Sequence, residues 1–93
     1  MNKQNSKLIS IIVPCFNSGK TINRTIESLK SQTWKKKEII IVNDGSDDQE
    51  TLDILNLFEG VLIINQKNLG LSAARNAGAY IAKGKFLFFI DSD

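Results

Sequence analysis

Leu8–Cys15 reads LISIIVPC, an almost unbroken apolar and β-branched run. A strand with one wet face alternates apolar and polar residues. A run that is apolar at both parities belongs to a strand covered on both faces, as in a parallel sheet. Asn17, Ser18 and Gly19 end the run and offer caps to a helix. From Thr21 to Trp34, Ile22, Ile26 and Leu29 recur at i, i+4 and i+7, which is one helical face. The couplet then repeats. Glu38–Val42 (EIIIV) is a second buried strand and Asn43-Asp44-Gly45-Ser46 a loop. Ser46 with Gln49 forms a capping box for a second helix, whose face carries Leu52, Leu55 and Phe58 and which Gly60 stops. Val61–Asn65 (VLIIN) is a third strand and Gln66–Gly70 a loop. Ser72 caps a third helix that Gly84 ends, and Phe86–Ile90 (FLFFI) is a fourth strand closed by Asp91-Ser92-Asp93.

The order β-α-β-α-β-α-β predicts a Rossmann-like, three-layer α/β/α fold with helices on both faces of a parallel sheet. Right-handed crossovers favour strand order 3-2-1-4, with a switch point between the first and fourth strands. Such folds bind ligands beyond the carboxyl ends of the strands, beside the switch point. Phe16, Asn17, Asn43, Asp44, Asn65, Asp91 and Asp93 are therefore expected along one edge. Lys35-Lys36-Lys37 falls at the opposite edge and reads as a solvated turn, its cations near a helix C-terminus. The sequence stops two residues after the fourth strand, inside the expected site, and so reads as a truncated piece of a longer protein.

Ninety-three residues suit one small domain, and 42% hydrophobic with 24% charged residues exclude a disordered or fibrous chain. Twelve Lys and Arg against ten Asp and Glu give +2, too balanced for a nucleic-acid footprint. The chain has no His, which excludes His-based acid–base catalysis, a Ser–His–Asp triad and His metal sites. A single Cys15 excludes an internal disulfide and fits a reducing compartment. No apolar run approaches the roughly 20 residues that span a bilayer. Met1–Lys7 followed by Leu8–Val13 is too short an apolar segment for a signal peptide, and Pro14 follows it. The expected location is cytoplasmic.

Each chemical motif carries two readings. Gly19-Lys20-Thr21 satisfies the end of a P-loop, but Pro14 stands where its first glycine belongs, and proline has no N–H to offer a phosphate. A plain helix start fits better. No G-x-G-x-x-G follows the first strand. Asp91 and Asp93 can reach one divalent cation, Mg²⁺ or Mn²⁺, or can simply make a polar turn. Asp44 can accept hydrogen bonds from a base or a ribose, or can cap the second helix. Arg75 lies among Ala73, Ala74, Ala77 and Gly78, small residues that let the helix approach the sheet. It can then reach the strand edge and pair with a base or diphosphate, or form a surface salt bridge.

Four stretches in order resemble the N-terminal half of a family 2 glycosyltransferase of GT-A fold: SIIVPCFN (Ser10–Asn17), EIIIVNDGSDD (Glu38–Asp48), NLGLSAARNAG (Asn68–Gly78) and GKFLFFIDSD (Gly84–Asp93). Ser28–Trp34 (SLKSQTW) also resembles that family's helix end. The resemblance implies inverting transfer from a nucleotide-sugar donor, usually a UDP-sugar, with Mn²⁺ or Mg²⁺. The acceptor would be a glycan, a growing polysaccharide or a lipid-linked glycan, placing the full-length protein at the cytoplasmic face of the membrane. It implies that Pro14 and Phe16 flank the base, with Phe16 where a tyrosine is common. Asp44 would bind the base, Arg75 would contact the nucleotide, and Asn17 is a lesser contact. Asp91 and Asp93 would form the D-x-D pair on ribose or metal, Asp93 being the closer metal contact. The family's general base and acceptor pocket lie downstream of this motif, so residues 1–93 are expected to bind donor without turnover. A P-loop-like nucleotide-binding protein and a noncatalytic α/β binding module are the rival readings. An uncovered edge on the fourth strand would favour self-association.

Overall fold

The computed structural model describes residues 7–34 and 36–92. Met1–Ser6, Lys35 and Asp93 lie outside the described residues, and with them part of the signal-peptide stretch, part of the lysine run and one member of the D-x-D pair. Seven elements follow in order: β1 (Ile9–Cys15), α1 (Gly19–Lys30), β2 (Lys37–Asp44), α2 (Gln49–Leu57), β3 (Leu62–Gln66), α3 (Leu71–Ile81) and β4 (Phe86–Phe89). All pairings are parallel and the sheet order is β3-β2-β1-β4. The expected α/β architecture and strand order are thus the observed ones. No helix among the described residues is long and apolar enough to cross a membrane.

The sheet divides the core by the alternation of strand side chains. Ile11, Val13, Ile39 and Ile41 face Ile22 and Ile26 of α1 and Leu55 of α2. Ile12, Ile40 and Val42 face Ala74 of α3 on the other side. The β-branched side chains of β1 and β2 are almost wholly buried, each contributing about 1.5–3 kcal/mol on removal from water. The small residues of α3 permit close approach, since a Cβ at Gly78 would stand 2.5 Å from Ile12 Cγ2.

Two expectations about cover fail. β3 is only half-buried, because it is the sheet edge beyond β2. Every residue of β4 is exposed, at 41–51%, so the helices cover β1 and β2 but not the fourth strand. Three caps also differ. Asp48, not Ser46, precedes α2, because Ser46 Oγ instead accepts the Asn17 N–H at 3.0 Å. Gly70, with φ of 104°, precedes α3, which leaves Ser72 inside the first helical turn. Gly84 lies beyond α3, which ends at Ile81, and its N–H donates to Ser10 Oγ at 2.8 Å. Lys36 and Lys37 sit where β2 begins, at the sheet end opposite the candidate site, as expected.

Candidate functional site

The crevice at the switch point has a cause in the sequence. β1 pairs with β2 as far as Cys15↔Asn43, but with β4 only as far as Ile12↔Phe89. The last ladder bond runs from Ile90 N–H to Ile12 O at 3.0 Å. The next would need an N–H at residue 14, and Pro14 has none. The two strands therefore part above Ile12. An open cleft of about 500 Å³ forms there, its lining including Pro14, Phe16, Asp44, Gly70, Leu71 and Asp91. Phe16 is 46% exposed and lines it.

Asp44 ends β2 and is 6% exposed. Its Oδ1 accepts from Leu69 N–H at 2.8 Å and Gln66 Nε2 at 2.9 Å, and its Oδ2 from Gly70 N–H at 3.0 Å. Burial pushes its carboxyl up, but the hydrogen bonds from Leu69, Gln66 and Gly70 outweigh that and hold it below the usual carboxylate range. Asp44 thus does not cap α2. It holds the turn that leads into α3, and its second oxygen keeps acceptor capacity for a ligand.

Asn17 adopts φ of 50°, a conformation asparagine tolerates better than most residues. Its side chain clamps the neighbouring loop, Oδ1 accepting from Asp47 N–H (2.9 Å) and Asp48 N–H (3.1 Å) while Nδ2 donates to Asp47 Oδ1 (2.9 Å). It borders a different depression, with Lys20 and Glu50. Arg75 Nη2 lies 3.5 Å from Asp91 Oδ1, with both side chains substantially exposed, so the pair adds little stability. Arg75 Nε is buried and has no hydrogen-bond partner among the described residues. The structure therefore gathers Pro14, Phe16, Asp44 and Asp91 at one cleft, brings Arg75 to it through Asp91, and turns Asn17 to loop support.

The P-loop reading loses its physical basis. Gly19 N–H donates to Thr51 Oγ1 at 2.9 Å and Asn17 N–H to Ser46 Oγ, so these amides are not turned toward a phosphate. Another depression, of about 570 Å³, lies between α1 and α2 near Lys30 and Glu59. It sits at the helix C-termini, away from the switch point, and Lys30 Nζ is already bonded to Glu59 O. Among the described residues, no three acidic or cysteine side chains gather as a metal cage. Asp91 is the hard oxygen donor that Mg²⁺ and Mn²⁺ take when phosphate and water complete the shell.

Sequence reading passed over Ser92, which is 6% exposed and bonds Ser18 Oγ through its own Oγ at 2.7 Å. It also passed over the backbone N–H groups that hold Asp44. Neither follows from residue spacing, because both contacts join segments distant in the chain.

A doubly wound parallel sheet with an open, carboxylate-bearing cleft at its switch point defines a ligand-binding α/β domain of Rossmann-like type. The family model described as Glycosyl transferase family 2 matches residues 10–93, and the chain belongs to that family. It is 46% identical over 90 residues to the Escherichia coli UDP-Glc:alpha-D-GlcNAc-diphosphoundecaprenol beta-1,3-glucosyltransferase WfaP, covering 94% of this chain and 36% of that protein. The crystal structure of S. aureus TarS 1-349 in complex with UDP matches with a TM-score of 0.81 and 35% identity, over 91% of this chain and 27% of that one. Mannosyltransferase PcManGT from Pyrobaculum calidifontis, in complex with GDP-Man and Mn²⁺, matches with a TM-score of 0.75 over 91% of this chain and 27% of that one. At 19% identity it bears on the fold alone. The chain spans 27–36% of the length of these relatives.

Proposed function

We propose that this chain is the nucleotide-sugar-binding part of an inverting glycosyltransferase that takes a UDP-sugar donor and a polysaccharide or lipid-linked glycan acceptor. The observation that carries the reading is the switch-point cleft, with Phe16, Asp44 and Asp91 on its walls, in a chain of family 2. WfaP names UDP-Glc as its donor and TarS holds UDP, which supports the choice of base. In this reading Pro14 and Phe16 hold the base between apolar surfaces. Asp44 Oδ2 accepts the imide N–H of uracil, its charge kept at neutral pH by the bonds from Leu69, Gln66 and Gly70. Arg75 leaves Asp91 for the diphosphate. Asp91 and Asp93 hold the ribose and a divalent cation, Mn²⁺ or Mg²⁺. Bound metal would neutralise charge on the departing nucleoside diphosphate. Asn17 supports Phe16 rather than touching the donor. The general base and the acceptor pocket belong to the part of such proteins beyond this match, so residues 1–93 bind without turnover. With a lipid-linked acceptor the whole protein works at the cytoplasmic face of the membrane.

Calorimetric titration with UDP, with and without Mn²⁺, and with ATP and Mg²⁺ tests the reading. Manganese-dependent UDP binding weakened by Asp93→Asn is expected. ATP binding in preference to UDP would overturn it.

A further inference from the structure

Ser18 directly precedes α1 and is its N-cap, yet it makes no side-chain bond to its own helix. A serine there ordinarily gives its oxygen to the N–H two or three residues on, a favourable local interaction. Here that interaction is forgone. Ser18 Oγ lies instead 2.7 Å from Ser92 Oγ and 3.3 Å from the buried Cys15 Sγ, and either hydroxyl can donate in the first pair. Thr25 Oγ1 of α1 donates to Ser92 O at 3.4 Å. Ser92 is 6% exposed, whereas the Asp91 side chain beside it is 64% exposed. The acidic loop is thus anchored at its centre, while its exposed Asp91 carboxylate meets Arg75 Nη2 at 3.5 Å. Ser18 gives its hydroxyl to a contact between segments 74 residues apart, at the rim of the cleft, rather than to its own helix.

We infer that Ser18 is a positioning residue for the acidic loop: through Ser92 it fixes where the Asp91 carboxylate meets the diphosphate and its cation. This rests on the donor-binding reading above. The latch acts on the metal–diphosphate end of the ligand and not on the base, which Asp44 holds from the end of β2 and Phe16 from a stretch that Asn17 separately clamps to Asp47 and Asp48. Its loss should therefore separate the two parts of donor affinity.

The test is calorimetric titration with UDP, in the presence and absence of Mn²⁺, together with thermal melting of each variant. Ser18→Ala should weaken Mn²⁺-dependent UDP binding about two- to tenfold, the worth of one hydrogen bond. Affinity without Mn²⁺ should be unchanged, and melting should fall only by the few degrees that one hydrogen bond is worth. Ser18→Thr, which keeps the hydroxyl, should restore the metal-dependent part. Ser92→Ala should give the same split from the other end. Thr21→Val, which loses a bond to Ser18 O at 3.2 Å, should lower melting without the split. Equal losses with and without Mn²⁺, or wild-type affinity in both Ser18→Ala and Ser92→Ala, would overturn the inference. A wild-type chain that binds no UDP under either condition would overturn the donor-binding reading, and the inference with it.

Discussion

Asp44→Asn keeps the shape of the side chain at the foot of the cleft and removes its charge. The carboxylate is 6% exposed and accepts three bonds, two at Oδ1 and one at Oδ2. An amide has one oxygen. Whichever way it turns, Gly70 N–H, or Leu69 N–H and Gln66 Nε2 together, face a second donor. A bond to a charged group is worth about 1.5–3 kcal/mol, and a buried donor left unpaired costs about 1–3 kcal/mol. Allowing for relaxation of the turn, the substitution should cost about 2–4 kcal/mol. For a domain of this size that lowers Tm by about 10–25 °C. Because the folded-state pKa is depressed, the carboxylate's contribution is complete above its unfolded value of about 3.9 and is lost as pH falls through the lower folded value. Guanidinium unfolding should therefore show a constant gap between wild type and variant from pH 7 to pH 5, closing below about pH 4. A variant within about 0.5 kcal/mol of wild type at pH 7, or a gap that widens on acidification, would refute the reasoning. Unchanged UDP affinity in folded Asp44→Asn would remove the base-binding role while leaving the structural one.

Asn17→Ala should be less stable than Asn17→Gly by about 1 kcal/mol in urea unfolding, since both lose the clamp on Asp47 and Asp48 but only alanine resists φ of 50°. The reverse order would contradict the account of that turn. Gly78→Val should cost about 1–3 kcal/mol or more, because its Cβ would meet Ile12 Cγ2 at 2.5 Å and Val42 Cγ2 at 3.2 Å across the central strands. Calorimetric melting at or above the wild-type temperature would refute it. The exposed strand Phe86–Phe89 should drive self-association that Phe88→Lys reduces, and light scattering that shows only monomer at every concentration would count against this.

The strand order was legible because LISIIVPC and EIIIV are apolar at both parities, and the residues between them carry a helical period. β3 and β4 mark the limit of that signal. FLFFI is as apolar as EIIIV, yet Phe86 and Phe88 are 51% exposed while Ile40 and Ile41 are wholly buried. An apolar run states that a strand favours cover, not which element supplies it. Caps failed for a related reason. Ser46 and Gln49 satisfy a local spacing, but Ser46 Oγ accepts the N–H of Asn17, some thirty residues away, and Ser46 N–H donates to Asn43 Oδ1, so both arms of the box are engaged elsewhere. Asp44 and Asp91 could be read as polar residues just past apolar strands. What holds them could not, because two of the partners of Asp44 are the backbone amides of Leu69 and Gly70, and Ser92, beside Asp91, is held by a serine that looks like an ordinary helix cap.

The same contrast explains how the site is held. The apolar core reaches Cys15, Val42 and Ala74 and stops there. Above it the loops are joined by polar side chains: Asn17 ties the first to the second, and Asp44 with the Asn43–Asn65 amide pair ties the second to the third. At the switch point the ladder cannot serve, because Pro14 ends it and the crossovers leave in opposite directions. Only the Ser18–Ser92 and Thr25–Ser92 bonds and an exposed ion pair at 3.5 Å span that gap among the described contacts. Each is worth about 1 kcal/mol or less, far below the stability of the sheet beneath. The acidic loop should therefore loosen locally long before the domain unfolds, and the Ser18–Ser92 bond is the shortest of the contacts that hold it against that.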